Sequence, residues 1–144
     1  MNAAKPESIL FVCYLNSIRS PMAEGLMKFH FADFGNIQSC GLASGELDDL
    51  MVAVMAEKNI DMSAHVAQTL GDVADTHFDL VIAFTESAGA AAEAAFLGTD
   101  TVVETWPLPD PTAGSLDVRA IMNNYRSIRD NLEARLKRRF PVSH

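Results

Sequence analysis

Val12-Cys13-Tyr14-Leu15-Asn16-Ser17-Ile18-Arg19-Ser20-Pro21-Met22-Ala23-Glu24 is the stretch on which the fold turns. Ahead of it runs Ser8-Ile9-Leu10-Phe11-Val12, short and apolar, as a buried strand reads. Behind it, Pro21 takes a first-turn helix position, where its missing N–H costs nothing. Cys13 therefore stands where a strand ends, and the residues after it make the turn into a helix. A tight turn at a helix N-terminus aims backbone N–H groups into its hollow and makes a nest for an anion. The thiolate of Cys13 at the rim can attack a tetrahedral oxyanion held there. The guanidinium of Arg19, with five residues between it and Cys13, grips two of its oxygens in a fork. The Ser20 hydroxyl is placed to donate to the sulfur, which improves it as a leaving group. Tyr14, Leu15, Asn16, Ser17, Ile18, Arg19 and Ser20 are thus the candidate phosphate-binding loop. A cysteine after an apolar strand is ordinarily a small buried hydrophobe; the Arg-Ser-Pro and helix behind this one turn the reading towards chemistry.

The remainder of the chain alternates in the same way. Ala23, Leu26, Met27 and His30 recur at helical spacing, and Gly35-Asn36 stops the helix. Ile37-Gln38-Ser39-Cys40-Gly41 reads as a second strand. Leu47-Asp48-Asp49 offers capping carboxylates to a helix whose apolar face is Leu50, Val54, Met55 and Ile60. His65, in the polar joint that follows, reads as a structural hydrogen-bonding histidine. Residues 78–84 are the plainest strand. Thr85 or Ser87 caps the alanine-rich helix from Glu86 to Phe96. Residues 101–104 form a fourth strand. Three prolines and a glycine make 106–114 an ordered loop. Val118, Ile121, Tyr125, Ile128, Leu132 and Leu136 mark a closing helix. Its Arg135, Lys137, Arg138 and Arg139 read as a solvated end that opposes the helix dipole. The pattern predicts a doubly wound α/β fold, with a four-stranded parallel sheet flanked by helices. In such sheets ligands bind beyond the carboxyl ends of the strands. The loop after Cys13 and the loop bearing Asp110 both lie there. Asp110, on a proline-stiffened loop, is the candidate general acid for a leaving alkoxide or phenoxide and the candidate base for the water that follows.

Composition narrows the classes. The chain has 144 residues, 49% of them apolar, which suits one domain over 1–144 with one core. Its formal net charge of −8 argues against nucleic-acid or anionic-membrane partners. No apolar run approaches the ~18–20 residues of a membrane span. Met1–Glu7 lacks a signal-peptide core, and two cysteines make no disulfide framework, so a cytoplasmic location is expected. No metal or other cofactor is expected, because Arg19 and the nest supply the charge stabilisation.

The cysteine-to-arginine loop with Asp110-Pro111 late in the chain resembles the low-molecular-weight protein tyrosine phosphatases, and equally the arsenate reductases that share their fold. The resemblance covers nearly the whole chain. It implies Cys13 as nucleophile, Arg19 as phosphate clamp, Ser20 as thiolate partner, Asn16 as the residue that braces the loop and Asp110 as general acid. It implies hydrolysis of phosphotyrosine or other aryl phosphates, from a phosphorylated protein or a small molecule, through a cysteinyl-phosphate. Three departures stand out. Leu15 replaces the family's usual glycine, which would strain the loop, and could leave a non-catalytic anion-binding domain, if that position requires φ > 0. Ile18 replaces a frequent second cysteine, so no disulfide forms within the loop. Thr112 replaces the usual aromatic after Asp-Pro, leaving Tyr14 as the nearby wall for a substrate ring. Trp106, Gly114 and Tyr125–Asp130 resemble the arsenate branch. With only Cys13 and Cys40 a three-cysteine relay is impossible, so a reductase of this sequence would use an external thiol, either glutathione with glutaredoxin or mycothiol. Cys40 stays open, either buried or able to approach Cys13 on oxidation.

Overall fold

The computed structural model describes residues 6–114 and 117–140. The chain runs β1 (Ser8–Cys13), α1 (Arg19–His30), β2 (Asn36–Gly41), α2 (Asp49–Ala56), α3 (Leu70–Val73), β3 (Leu80–Ala83), α4 (Glu86–Ala95), β4 (Val102–Thr105) and α5 (Val118–Arg139). All strand pairs are parallel, and the sheet order is β2-β1-β3-β4. β1 is central and buried at every position, as its unbroken apolar character demands. The expected four-stranded doubly wound sheet is therefore present.

Alternation along β1 sorts the core into two layers. Ile9, Phe11 and Cys13 face one side, where they meet α1, α2 and α5 through residues such as Met22, Leu26, Met55 and Leu132. Leu10 and Val12 face the other, against α3 and α4 through Val73, Ala88 and Ala92. Burying each of the larger side chains contributes about 1.5–3 kcal/mol. α4 packs against this second face with small residues, seven of its ten being alanine or glycine. A Cβ on Gly89 would stand 2.3 Å from the Thr105 hydroxyl, so only glycine lets α4 lie this close to β4.

Most of the expected boundaries hold within a residue or two. α1 begins at Arg19, so the turn after Cys13 feeds directly into it. Thr85 caps α4 by accepting from the Ala88 N–H at 3.0 Å. The short α3 has no counterpart in the sequence expectations. Its one turn is held by a capping box between Thr69 and Asp72. The basic end of α5 is less solvated than its charge suggests. The Arg135 guanidinium lies 4.2 Å from the Trp106 ring centroid, and Arg139 pairs with Glu104 at 2.8 Å. Together they anchor the start of the 106–114 loop, where Trp106 is buried.

Candidate active site

The turn from Cys13 to Arg19 is built by pinning its carbonyls outward. The N–H groups of Leu42, Ala43 and Gly45 donate to the carbonyls of Cys13, Tyr14 and Leu15 at 3.1, 2.9 and 2.8 Å. The Ser17 hydroxyl donates to the Glu46 carbonyl at 2.9 Å. Each carbonyl turned out towards residues 42–46 leaves the N–H of the same peptide unit facing the other way, into the hollow. Two glycines make this approach possible. A Cβ on Gly41 would lie 2.7 Å from both the Asn16 nitrogen and the Tyr14 carbonyl oxygen, and one on Gly45 would lie 2.5 Å from the Ser17 hydroxyl.

Asn16 supplies the sharp bend. Its φ is 57°, in the left-handed region that asparagine tolerates better than most residues. Leu15 does not have positive φ, so the strain expected there is absent. The Asn16 side chain is fully buried, and its amide is spent on three partners. Nδ2 donates to the Ser20 and Ser39 hydroxyls, both at 2.9 Å, and Oδ1 accepts from the Gln68 N–H at 3.0 Å. Its carbonyl lies 3.0 Å from His65 Nε2; since a carbonyl only accepts, that nitrogen carries the proton. The bracing role expected of Asn16 thus has a physical form, and His65 is the structural histidine the sequence suggests. Ser39, in turn, donates to the Glu24 carboxylate.

Helix α1 differs from its neighbours at its N-terminus. α2, α3, α4 and α5 are capped by the side chains of Asp48, Thr69, Thr85 and Asp117. α1 begins behind Ile18, which offers no acceptor. No side chain caps its first N–H groups, which stand at the positive end of the helix dipole, where an anion is favoured.

Cys13 closes the base of this hollow. Its Sγ lies 2.8 Å from the Ser20 hydroxyl. That hydroxyl already accepts from Asn16, and its single proton can go to the Cys40 carbonyl, 3.3 Å away, or to the sulfur. A thiolate takes that proton as a hydrogen bond; a thiol can donate to Ser20 while the hydroxyl turns to Cys40. Arg19 reaches the opposite loop, its Nη1 donating to the Leu108 carbonyl at 3.0 Å. One edge of the guanidinium is thereby fixed. A crevice of about 730 Å³ opens above, lined by Cys13, Arg19, Leu47, Asp48, Asp110 and Thr112 among others. Tyr14 and Leu15 also border it and are 54% and 43% exposed, enough to meet a substrate at the mouth.

Asp110 lies on the far side of that crevice. Its Oδ1 accepts from the Thr112 N–H at 2.9 Å and from the Thr112 hydroxyl at 2.6 Å. The Thr112 hydroxyl, helped by the Thr112 N–H and the nearby Arg19 charge, holds the carboxyl below its usual range, while partial burial opposes the shift. A phosphate dianion arriving between Arg19 and Asp110 would reverse the local charge and raise it again.

Cys40 enters this arrangement through its backbone carbonyl, and its thiol lies apart from it. It pairs in register with Val12, while Cys13 pairs with Gly41, so Cys40 belongs to the other layer of the core. Burial, with added repulsion from Cys13 and Asp72, pushes its thiol up to about 12. Direct bridging to Cys13 would require β2 to present its opposite face.

Nothing in the hydropathy pattern marks Gln68, the 42–46 segment or Leu108 as belonging to the site. The nearest signal is the pair Gly41 and Gly45, whose wide separation from any helix stop hints at a close backbone approach.

A parallel α/β sheet with a cysteine at the base of an anion nest, an arginine beside it and a carboxylate across the crevice defines a class of oxyanion-handling enzymes. The chain belongs to one family of that class: the model described as low molecular weight phosphotyrosine protein phosphatase matches residues 8–140. Proteins similar to it include both arsenate reductases and phosphatases. It is 30% identical over 131 residues to the glutaredoxin arsenate reductase of Synechocystis sp., a match covering 91% of this chain and 94% of that protein. An arsenate reductase solved in the phosphate binding state is 30% identical, with a TM-score of 0.74 over 91% of this chain and 94% of the other. A YwlE arginine phosphatase with a phosphorylated active-site serine is 28% identical, with a TM-score of 0.75 over 90% and 91% of the two chains; a YwlE variant from Bacillus subtilis is 29% identical, with a TM-score of 0.74 over 90% and 93%. Among the described residues, no helix is long and apolar enough to cross a membrane.

Proposed function

We propose that this protein is a phosphatase that hydrolyses phosphotyrosine or other aryl phosphate monoesters through a cysteinyl-phosphate on Cys13. The single observation that carries the reading is that Cys13, Arg19 and Asp110 border one crevice above an uncapped helix N-terminus. The phosphoryl oxygens sit in the nest, against its N–H groups and the free edge of Arg19. The Cys13 thiolate attacks phosphorus, and the bond from phosphorus to the aryl oxygen breaks. Asp110 gives its proton to the departing phenoxide. Water then attacks the cysteinyl-phosphate, Asp110 takes a proton from it, and the thiolate leaves towards the Ser20 hydroxyl. Inorganic phosphate departs. Arg19 and the N–H groups meet the charge of both transition states without rearranging.

A second reading is favoured by the relatives named arsenate reductases. There the Cys13 thiolate would displace water from arsenate. An external thiol such as glutathione would then attack Cys13 sulfur, releasing arsenite and leaving a mixed disulfide for glutaredoxin. Mycothiol could take the same part. The location of Cys40 in the opposite layer of the core fits an external thiol rather than an internal relay.

One assay separates the two. Purified protein is offered para-nitrophenyl phosphate, a phosphotyrosine peptide, phosphoarginine and, with NADPH-coupled thiol systems, arsenate. Release of phosphate that Cys13→Ser lowers by about 10⁴-fold or more supports the phosphatase. Phosphate release that survives Cys13→Ser removes the nucleophile, and arsenate-dependent NADPH oxidation without phosphatase activity transfers the chain to the second reading.

A further inference from the structure

The crevice has two walls from distant parts of the chain. One is the Glu46–Asp49 segment, the other the Asp110–Thr112 loop. Two consecutive residues of α5 reach one wall each. The Tyr125 hydroxyl donates to Asp48 Oδ2 at 2.9 Å, while Asp48 Oδ1 accepts the Met51 N–H at 2.9 Å and so caps α2. The Asn124 side-chain amide donates to the Pro111 carbonyl at 3.2 Å. Neither residue lines the crevice. Successive helix positions point about 100° apart, so neighbours on α5 can serve opposite walls.

We propose that Tyr125 and Asn124 are positioning residues that jointly set the opening of the crevice, Tyr125 by holding the Glu46–Asp49 wall and Asn124 by tethering the loop that carries Asp110. The proposal rests on the phosphatase reading for its kinetic consequences. The two tethers are unequal. Tyr125 is 1% exposed, its ring held in the core with α1 and α2, so its hydroxyl cannot drift, and its bond to a carboxylate is charge-assisted. Burial, with the charges of Asp48 and Asp110 behind it, pushes the phenol well above its ordinary range, so it stays a donor at any working pH. Asn124 is exposed, and its bond is a longer one between neutral groups. The wall beside the substrate is fixed firmly, and the acid loop is held more loosely.

Steady-state kinetics on aryl phosphates of graded phenol acidity test this with Tyr125→Phe, Asn124→Ala and Asp48→Asn. Tyr125→Phe should raise KM about tenfold while kcat and its dependence on the leaving group stay as in the wild type. Asp48→Asn keeps a capping oxygen but weakens the phenol bond, and should move KM the same way by less. Asn124→Ala should leave KM near the wild type and slow poor leaving groups more than good ones. A loss shared equally by all substrates in both α5 variants, or no change in either, overturns the proposal. Alkylation of Cys13 reads the opening without turnover. Bulky N-aryl iodoacetamide should gain severalfold on iodoacetamide in Tyr125→Phe; an unchanged ratio also overturns it. A wild type that hydrolyses no aryl phosphate would sink the functional reading alone, with the alkylation ratio still deciding the positioning role.

Discussion

The loop after β1 and the loop after β4 face each other across one crevice, yet they are held in opposite ways. In the first, every carbonyl from Cys13 to Asn16 has a partner outside the loop, and Asn16 spends its whole side chain on buried hydroxyls and an N–H. In the second, the N–H groups of Trp106 and Leu108 tie the start of the loop to the Ala83 and Phe84 carbonyls and Arg19 holds the Leu108 carbonyl, whereas Asp110 further on is exposed and bonded chiefly to its own neighbour Thr112, with Asn124 reaching Pro111 beside it. The difference matches what each loop would do in the proposed phosphatase reaction. Charge accumulates on the phosphoryl oxygens, and dipoles that are already aimed stabilise it without reorganisation. A proton donor would have to follow leaving groups of different shape, and a carboxylate bonded chiefly to its own neighbour can adjust at small cost.

The sharpest break in that contrast is at the link between the loops. Arg19→Lys keeps a charge but loses both the planar fork and the fixed edge on Leu108. Turnover should fall by about 10²–10³-fold, read as kcat/KM with para-nitrophenyl phosphate. Loss of less than tenfold would mean that the nest N–H groups alone hold the anion.

Asn16 tests the rigid side. Asn16→Ala removes buried hydrogen bonds and places a residue with a Cβ but no amide at φ 57°. About 2–4 kcal/mol of stability should be lost in urea unfolding. Asn16→Gly relieves the φ but not the missing bonds, so it should recover only part of the loss; full recovery would show that the bonds are worth little.

The smallest effect belongs to the looser side. Thr112→Val deletes the hydroxyl that does most to depress the Asp110 carboxyl. In the proposed reaction Asp110 would serve as acid only while protonated, so the high-pH limb of kcat for poor leaving groups should fall as pH rises through its pKa. Raising that pKa should move the limb to higher pH. The stability consequence has the other sense. A carboxyl depressed in the folded state contributes stability above its unfolded value near 4, and loses it as pH falls through the folded value. The variant should therefore unfold less steeply with acid. A pH–rate profile that overlays the wild type would detach Asp110 from the limb.

How much of this was legible differs from element to element. The strand from Ser8, the turn after Cys13 and the helix behind Pro21 could be read directly, because each follows from a few adjacent residues. The caps were legible only as pairs, Thr85 or Ser87 for α4 and Asp48 or Asp49 for α2, of which the structure uses Thr85 and Asp48. The short α3 could not be read, since four residues hold too little periodicity and its support is a capping box beside an irregular segment. Leu15 was misleading as a sign of strain. The backbone takes its left-handed turn one residue later, at a side chain suited to it. The solvated reading of the basic α5 end also fell short, because Trp106 and Glu104 come from a strand and loop more than 25 residues earlier.

Local order in the chain was sufficient for the alternation of strands and helices, for a sulfur at the end of a buried strand and for an arginine within reach of whatever that sulfur meets. These depend on periods and spacings of a few residues. Which amide of residues 42–45 meets which carbonyl of 13–15, which face of the sheet Cys40 occupies, and that Tyr125 and Asn124 each reach a different wall were decided only when the layers packed. Hydrogen-bond partners brought together across the whole chain leave no periodic trace in it. Their pairing is set by strand register and helix docking, which emerge from the packed core as a unit.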